Sequence, residues 1–378
     1  MFLFVLVAGV PFWSIQPGQA ATTITVTTLS DELNTDGDCS LREALTAANS
    51  NTAVDQCPAG SGSDEIRFAI TGTITLASAL PELTESVTLQ GPGASQLTIS
   101  GNNLYRIFAI PAGLTVEIAG LTLADGFRTG IAANGGGAIR NSGDLTLRQM
   151  YFRDNEATEG GAIRDSGVVM IIESTFLNNR ATRGGAVYTR RGTALTIVNS
   201  TFSANSADQG GAFFASADGM IDIVNSTFVA NTAADAVSGG SIYNSRAEIT
   251  LVNVLLSNRV NSGTCFGPVI DGGHNIDSGA DCSFTPATGS LSNTDPLLAA
   301  LANNGGPTLT HLPLTGSPAI DAGDDAICAG TLVAGRDQRG VARPNGSHCD
   351  IGALEVEQLP TPTPTATATA THTPTSTD

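Results

Sequence analysis

The sequence predicts an all-β chain wound into a parallel β-helix, and three observations carry that prediction. "GGAIRNSG" at 136–143 returns as "GGAIRDSG" at 160–167. Apolar residues inside the repeat alternate with period 2, as in Leu145/Leu147, Leu195/Ile197, Ile221/Ile223 and Ile249/Leu251, which is the periodicity of strands. Glycine is abundant at 43 residues while only 14% of residues are charged, so apolar surface is available to bury and turns are plentiful. A single globular core gives no reason to restate eight residues almost letter for letter. Stacked coils do, because equivalent positions recur once per turn.

Residues 1–20, "MFLFVLVAGVPFWSIQPGQA", form an apolar run closing on Gly18 and Ala20 and read as a secretory signal peptide cleaved before Ala21. The first basic residue is Arg42, so this leader lacks a positive n-region. Residues 21–63 are expected to cap the N-terminal end of the solenoid, where strand edges and core would otherwise meet water. Within "CSLREALTAANS" (39–50), Ser40 and Glu43 have the spacing of a capping box, and Leu41, Ala44, Leu45 and Ala48 share one face of a short helix.

Residues 64–290 hold the coils. Copies open at Gly136-Gly137, Gly160-Gly161, Gly184-Gly185 and Gly210-Gly211, and a degenerate fifth opens at Gly239. The first four each carry Phe-x-x-Asn: Phe152/Asn155, Phe176/Asn179, Phe202/Asn205 and Phe228/Asn231. In superposed coils the Phe residues become an interior aromatic stack and the Asn residues an amide ladder, while Gly-Gly turns the chain through conformations closed to other residues. Asn199-Ser200-Thr201 and Asn225-Ser226-Thr227 match glycosylation acceptors but lie inside the repeat, where a ladder position is the better reading. Upstream segments such as "DEIRFAITGTITL" alternate without the Gly-Gly opening and read as earlier coils. Roughly nine turns at ~4.8 Å each predict a rod of about 45 Å.

Residues 291–357 break the pattern. Asp321, Asp324, Asp325, Asp337 and Asp350 mix there with Arg336, Arg339 and Arg343, which predicts a salt-bridged terminal cap, with a calcium site as the alternative because carboxylates are hard oxygen ligands. "NTDGD" (34–38) invites the same thought but fails the EF-hand template, with Cys39 where Gly is needed and Leu45 where Glu belongs. Residues 358–378 are a Thr/Pro-rich spacer, disordered because such alternation cannot pack.

The formal charge of -18 opposes binding to nucleic acid or an anionic membrane surface. All 17 basic residues are Arg, which excludes Schiff-base chemistry and a P-loop lysine. The six cysteines fall as three sequential pairs, Cys39-Cys57, Cys265-Cys282 and Cys328-Cys349, and local pairing is expected. Each such closure contributes on the order of 3 kcal/mol and suits an oxidising exterior. No C-x-x-C occurs, and His274, His311, His348 and His372 are dispersed, so neither a zinc site nor any other cofactor is expected apart from the calcium alternative.

The paired GGA[I/V/F] and FxxN signatures, over about 136–260, resemble the repeats of chlamydial polymorphic outer-membrane adhesins. "CSLREAL" is similar to the namesake motif of the CSLREA domain of secreted bacterial β-helix proteins. "DPLLAALANNGGPTLTHLPLTGSPAIDAGD…DIGALE" resembles the choice-of-anchor Q module that ends many of them. The resemblance implies a right-handed, pectin-lyase-like solenoid and a secreted or cell-surface adhesin, with attachment to the cell envelope through the C-terminal region. It departs from autotransporter adhesins, which end in a membrane barrel where this chain has its Thr/Pro tail.

Three functions remain open from sequence. The first is adhesin-like binding of a glycan or cell surface by a monomer, without catalysis. Its candidate ligand column is Arg140, Arg164, Tyr188, Phe214 and Tyr243, which by alternation face opposite to Ile139, Ile163, Val187, Phe213 and Ile242 and hence outward, where aromatics stack on sugars. The second is a polysaccharide lyase or hydrolase. Asn293-Thr294-Asp295, Asp324-Asp325 and Gly273-His274-Asn275 echo polygalacturonase motifs out of order, and Arg153, Asp154, Arg164 and Asp165 are the candidates for lyase chemistry. The third is a structural surface spacer.

Overall fold

The structure, a computed structural model, describes residues 21–130, 135–190, 192–216, 218–235, 237–258 and 263–357. The expected leader (1–20) and Thr/Pro spacer (358–378) lie outside the described residues. Every strand pairing between coils is parallel, and the strands sort into four sheets of ten, nine, seven and four. Each repeat contributes one strand to each of three faces, for example Ile163–Asp165 to the seven-stranded face, Val168–Ile172 to the ten-stranded face and Thr175–Leu177 to the nine-stranded face.

Among the described residues seven coils have all three faces, and two earlier ones have only two. The expected nine or so turns are therefore seven complete coils and two that lack one face. The cause lies in the N-terminal cap. Helix α1 (Leu41–Ser50) stands against the side the early coils leave unpaired, where Arg42 donates to the carbonyls of Ser78 and Ala79 and Asn49 to that of Glu82. The helix has the capping box expected of Ser40 and Glu43, and Leu41, Ala44, Leu45 and Ala48 are buried.

The interior files form as the spacing predicts. Phe152, Phe176, Phe202 and Phe228 are fully buried and stack with centroids 4.6, 4.5 and 4.6 Å apart; Leu256 takes the next position in register. The Asn ladder runs beside them, each Nδ2 donating 2.9 Å to the next Oδ1 from Asn155 through Asn179 and Asn205 to Asn231. A serine file was missed in the sequence: the amides of Met150, Ser174 and Ser200 donate to the hydroxyls of Ser174, Ser200 and Ser226 one coil on. These files satisfy backbone groups that a buried corner would otherwise strand.

Residues 291–357 do not cap the far end as expected. They run back along the corner between the ten- and nine-stranded faces, across successive coils. Gln338 donates to the hydroxyls of Thr175 and Thr308 and accepts from that of Thr201. Ser203 meets His311 at 3.0 Å, the Ala353 amide donates to the Thr227 hydroxyl, and Asp324 donates its amide to Asn253. Outward polar side chains in consecutive coils supply these partners. Asn199 and Asn225 likewise face this segment, donating to the Arg336 carbonyl and to Cys328 Sγ, and are buried. They are docking positions rather than a coil-to-coil ladder. Of the predicted ionic network, Arg339 pairs with Asp337 at 2.9 Å, whereas Arg343 pairs at 3.2 Å with Glu355, which the prediction did not include, and Arg336 donates to the Gly340 carbonyl. All three disulfides join the sequential cysteines.

Candidate functional site

The Gly-Gly openings do more than turn a corner. After Asn155 the chain runs out along Glu156–Glu159, which pairs only with its counterparts Phe127–Arg128, Arg180–Arg183 and, through these, Ser206–Gln209. It returns through Gly160, at φ +62°, and Gly161, where a Cβ would sit 2.6 Å from the carbonyl oxygen of Arg180 at the base of the next excursion. A side chain larger than hydrogen at the second glycine would therefore push adjacent coils apart. The four-stranded sheet built this way is a fin, and a groove lies between it and the seven-stranded face.

The column foreseen on that face is in register from Arg140 through Arg164, Tyr188, Phe214 and Tyr243, and continues to Phe266. It faces outward, opposite the buried Ile139, Ile163, Val187, Phe213 and Ile242. From Tyr188 onward the rings stack, with centroids at 5.3, 4.6 and 4.6 Å. Exposure is not uniform, which corrects the expectation of an open platform. Tyr188 and Phe214 are each only 5% exposed because the fin covers them, with the Arg183 guanidinium 5.7 and 5.9 Å from their ring centres. Tyr243 is half-buried and Phe266 is 38% exposed, beyond the last fin strand. Phe266 was missed because its coil replaces Gly-Gly-Ser by Gly263-Thr264 after a shorter lead; the in-line aromatic of "GTCF" was the available signal.

Toward the other end the groove is cationic. A cleft of about 360 Å³ is lined by Glu159, Arg164, Arg183, Tyr188 and Arg190, and one of about 240 Å³ by Glu82, Tyr105, Arg106, Arg128 and Arg140. Glu159 is shared between Arg164 at 3.2 Å and Arg183 at 3.0 Å, and Glu82 pairs with Arg140 at 2.7 Å. Arg106 is held by the carbonyls of Gly135 and Gly136. Burial, with Arg140, Arg128 and Arg164 nearby, pushes the Arg106 guanidinium down to about 10.

The residues considered for catalysis are dispersed. Arg153 and Asp154 pair with each other on the nine-stranded side, whereas Arg164 points into the groove and its neighbour Asp165 into the interior. Asp165 Oδ1 accepts from Asn141 and Gly167, its Oδ2 is buried without a partner, and burial raises its pKa. In the C-terminal segment Asp324 caps helix α2 (Asp325–Ala329), Asp325 binds His348 at 2.8 Å, and His274 contacts the Ala322 carbonyl. Asp295 accepts from the Leu297 amide. These are local structural roles.

Among the described residues the carboxylates close enough to share a cation are Asp36 and Asp38, from the segment that failed the EF-hand template, with Glu32 just before it, and not the C-terminal aspartates. Asp321, Asp337 and Asp350 are each used by backbone amides, from His348, from Arg339 and Val341, and from Val356.

A family model described as "Right handed beta helix region" matches residues 87–277. No curated protein matches the chain. Among solved structures, that of pectate lyase Pel9A is similar with a TM-score of 0.34 and 14% identity, over 89% of this chain and 97% of that one.

Proposed function

The chain belongs to the right-handed β-helix family, and from that premise we propose that it is an adhesin-like, non-catalytic glycan-binding protein working outside the cytoplasm as a monomer. One observation carries the reading: a continuous outer file of stacked rings, from Tyr188 through Phe214 and Tyr243, that emerges into solvent at Phe266. Within the file each ring face is covered by its neighbour, so the groove meets ring edges; Phe266, with one stacking partner and 38% exposed, is the ring left to stack on the apolar face of a sugar. Three disulfides support an oxidising compartment. The dispersal of Asp154, Asp165, Asp295, Asp324 and Asp325 supports binding over hydrolysis by these residues, which needs two carboxylates facing across a cleft.

The test is a glycan array probed with the purified protein and with its Tyr243→Ala/Phe266→Ala variant. Binding to a defined set of glycans, lost in a variant whose circular dichroism is unchanged, is the expected result. Undiminished binding by the variant would remove the ring file from the site.

A further inference from the structure

The groove has two chemically different ends. Of the described residues lining its two clefts, six are arginines (Arg106, Arg128, Arg140, Arg164, Arg183 and Arg190) and two are carboxylates, on a chain whose formal charge is -18. Such a concentration of one sign against the charge of the whole molecule requires a local reason, because self-repulsion among guanidinia destabilises the folded state. Burial first, and after it the neighbouring Arg140, Arg128 and Arg164, lowers the pKa of Arg106. The internal acids do not neutralise it, since Glu159 serves two arginines and Glu82 one. Arg140 Nε is buried and lacks an acceptor, while Arg128 and Arg190 are exposed.

Arg140 and Arg164 occupy the same outward file as the rings, two and one coils before Tyr188. The covered Tyr188 and Phe214 lie between, so a ligand that reaches both ends passes over three coils, about 14 Å, from Tyr243 to Arg164. Planar guanidinium groups match carboxylate and sulfate oxygens in two-point contacts.

We propose that the arginine end of the groove is a subsite for the carboxylate or sulfate groups of an acidic oligosaccharide whose sugar rings lie along Tyr243 and Phe266. The inference rests on the glycan-binding reading above and names the class of glycan. The long-range field of the chain repels polyanions, so binding arises at this strip rather than over the general surface.

Isothermal titration of the full chain with an oligouronate, a sulfated glucan oligosaccharide and the same glucan unsulfated tests it. The expected result is that one or both anionic ligands bind at least about tenfold tighter than the neutral one and weaken with added salt. Which anionic ligand binds identifies carboxylate or sulfate as the recognised group. An Arg128→Gln/Arg140→Gln/Arg190→Gln variant should lose about tenfold or more for the anionic ligand and keep its affinity for the neutral one. If that variant fails to fold, Arg128→Gln/Arg190→Gln, at two exposed positions, is expected to show the same loss to a smaller degree. Equal affinity for anionic and neutral ligands, or anionic binding indifferent to the arginine substitutions, overturns the anion subsite while the ring file stands. Binding of none of the three, together with a blank glycan array, overturns both.

Discussion

Two files of stacked rings run along this molecule, one inside and one outside, and their ring spacing is nearly the same: 4.5–4.6 Å within the Phe152–Phe228 file and 4.6 Å at the open end of the outer one. Stacking is thus what the coil period imposes on any aromatic placed in register, and by itself says nothing of function. The files differ in chemistry. The inner one is Phe at four consecutive positions and wholly buried. The outer one runs Arg, Arg, Tyr, Phe, Tyr, Phe along the rod; it is partly exposed at Arg140, covered from Arg164 to Phe214 and open again at Tyr243 and Phe266. Uniformity marks packing, and a file that changes in charge and opens at both ends marks a surface with something to meet.

Substitutions can break or sharpen that contrast. The largest effect is expected for Phe202→Ala, which opens a cavity between two stacked rings in the core and should lower unfolding free energy by about 3–5 kcal/mol in denaturant titration. Phe214→Ala, at a covered position of the outer file, should cost roughly 1.5–3 kcal/mol by the same measurement. A cost equal to that of Phe202 would mean the outer file is core in all but name.

Asp165→Asn should act in the opposite direction. Its neighbour in the file, Asn141, accepts from the Gly143 amide and donates to the carbonyls of Gly143 and Val168, and an amide at 165 can do likewise where the carboxylate leaves Oδ2 unpartnered. A gain of about 1 kcal/mol near neutral pH is expected. Burial raises the folded-state pKa of Asp165, so ionisation costs the native state as pH climbs from the ordinary value of 3.8 through the folded value. The advantage of the variant should therefore appear over that window and vanish below it, as read from melting temperature against pH. The smallest effect is expected for Phe266→Ala, the exposed end of the outer file with one stacking partner, at about 0.5 kcal/mol.

Much of this was legible in advance. A repeat writes each interior file into the sequence, so the Phe and Asn columns, the outward direction of Arg140 to Tyr243, the capping box and the cysteine pairs could all be read from spacing. What escaped had no period to announce it. The burial of Tyr188 and Phe214 depends on a fin made by residues that alternate poorly, 156–159 and their counterparts. The flank position of residues 291–357 depends on contacts more than a hundred residues away, such as Thr175 with Leu309 and Ser203 with His311. The clue was present in the recurrence of Ser-Thr-Phe at 174–176, 200–202 and 226–228, where an outward threonine in three consecutive coils asks for a partner. The arginine end of the groove was half seen, since Arg140 and Arg164 lie in the repeat, whereas Arg106 and Arg128 come from coils that lack its signature.

An unbraced stack of coils interacts only between nearest neighbours and can fray one rung at a time. The segment 291–357 changes that thermodynamic character, because its hydrogen bonds to the rungs at Thr175, Thr201, Ser203, Thr227 and Asn253 bind them into a single cooperative unit. Melting of the middle rungs then waits on release of the whole brace, so amide exchange there should be governed by one concerted opening, while the rungs before residue 120 exchange independently.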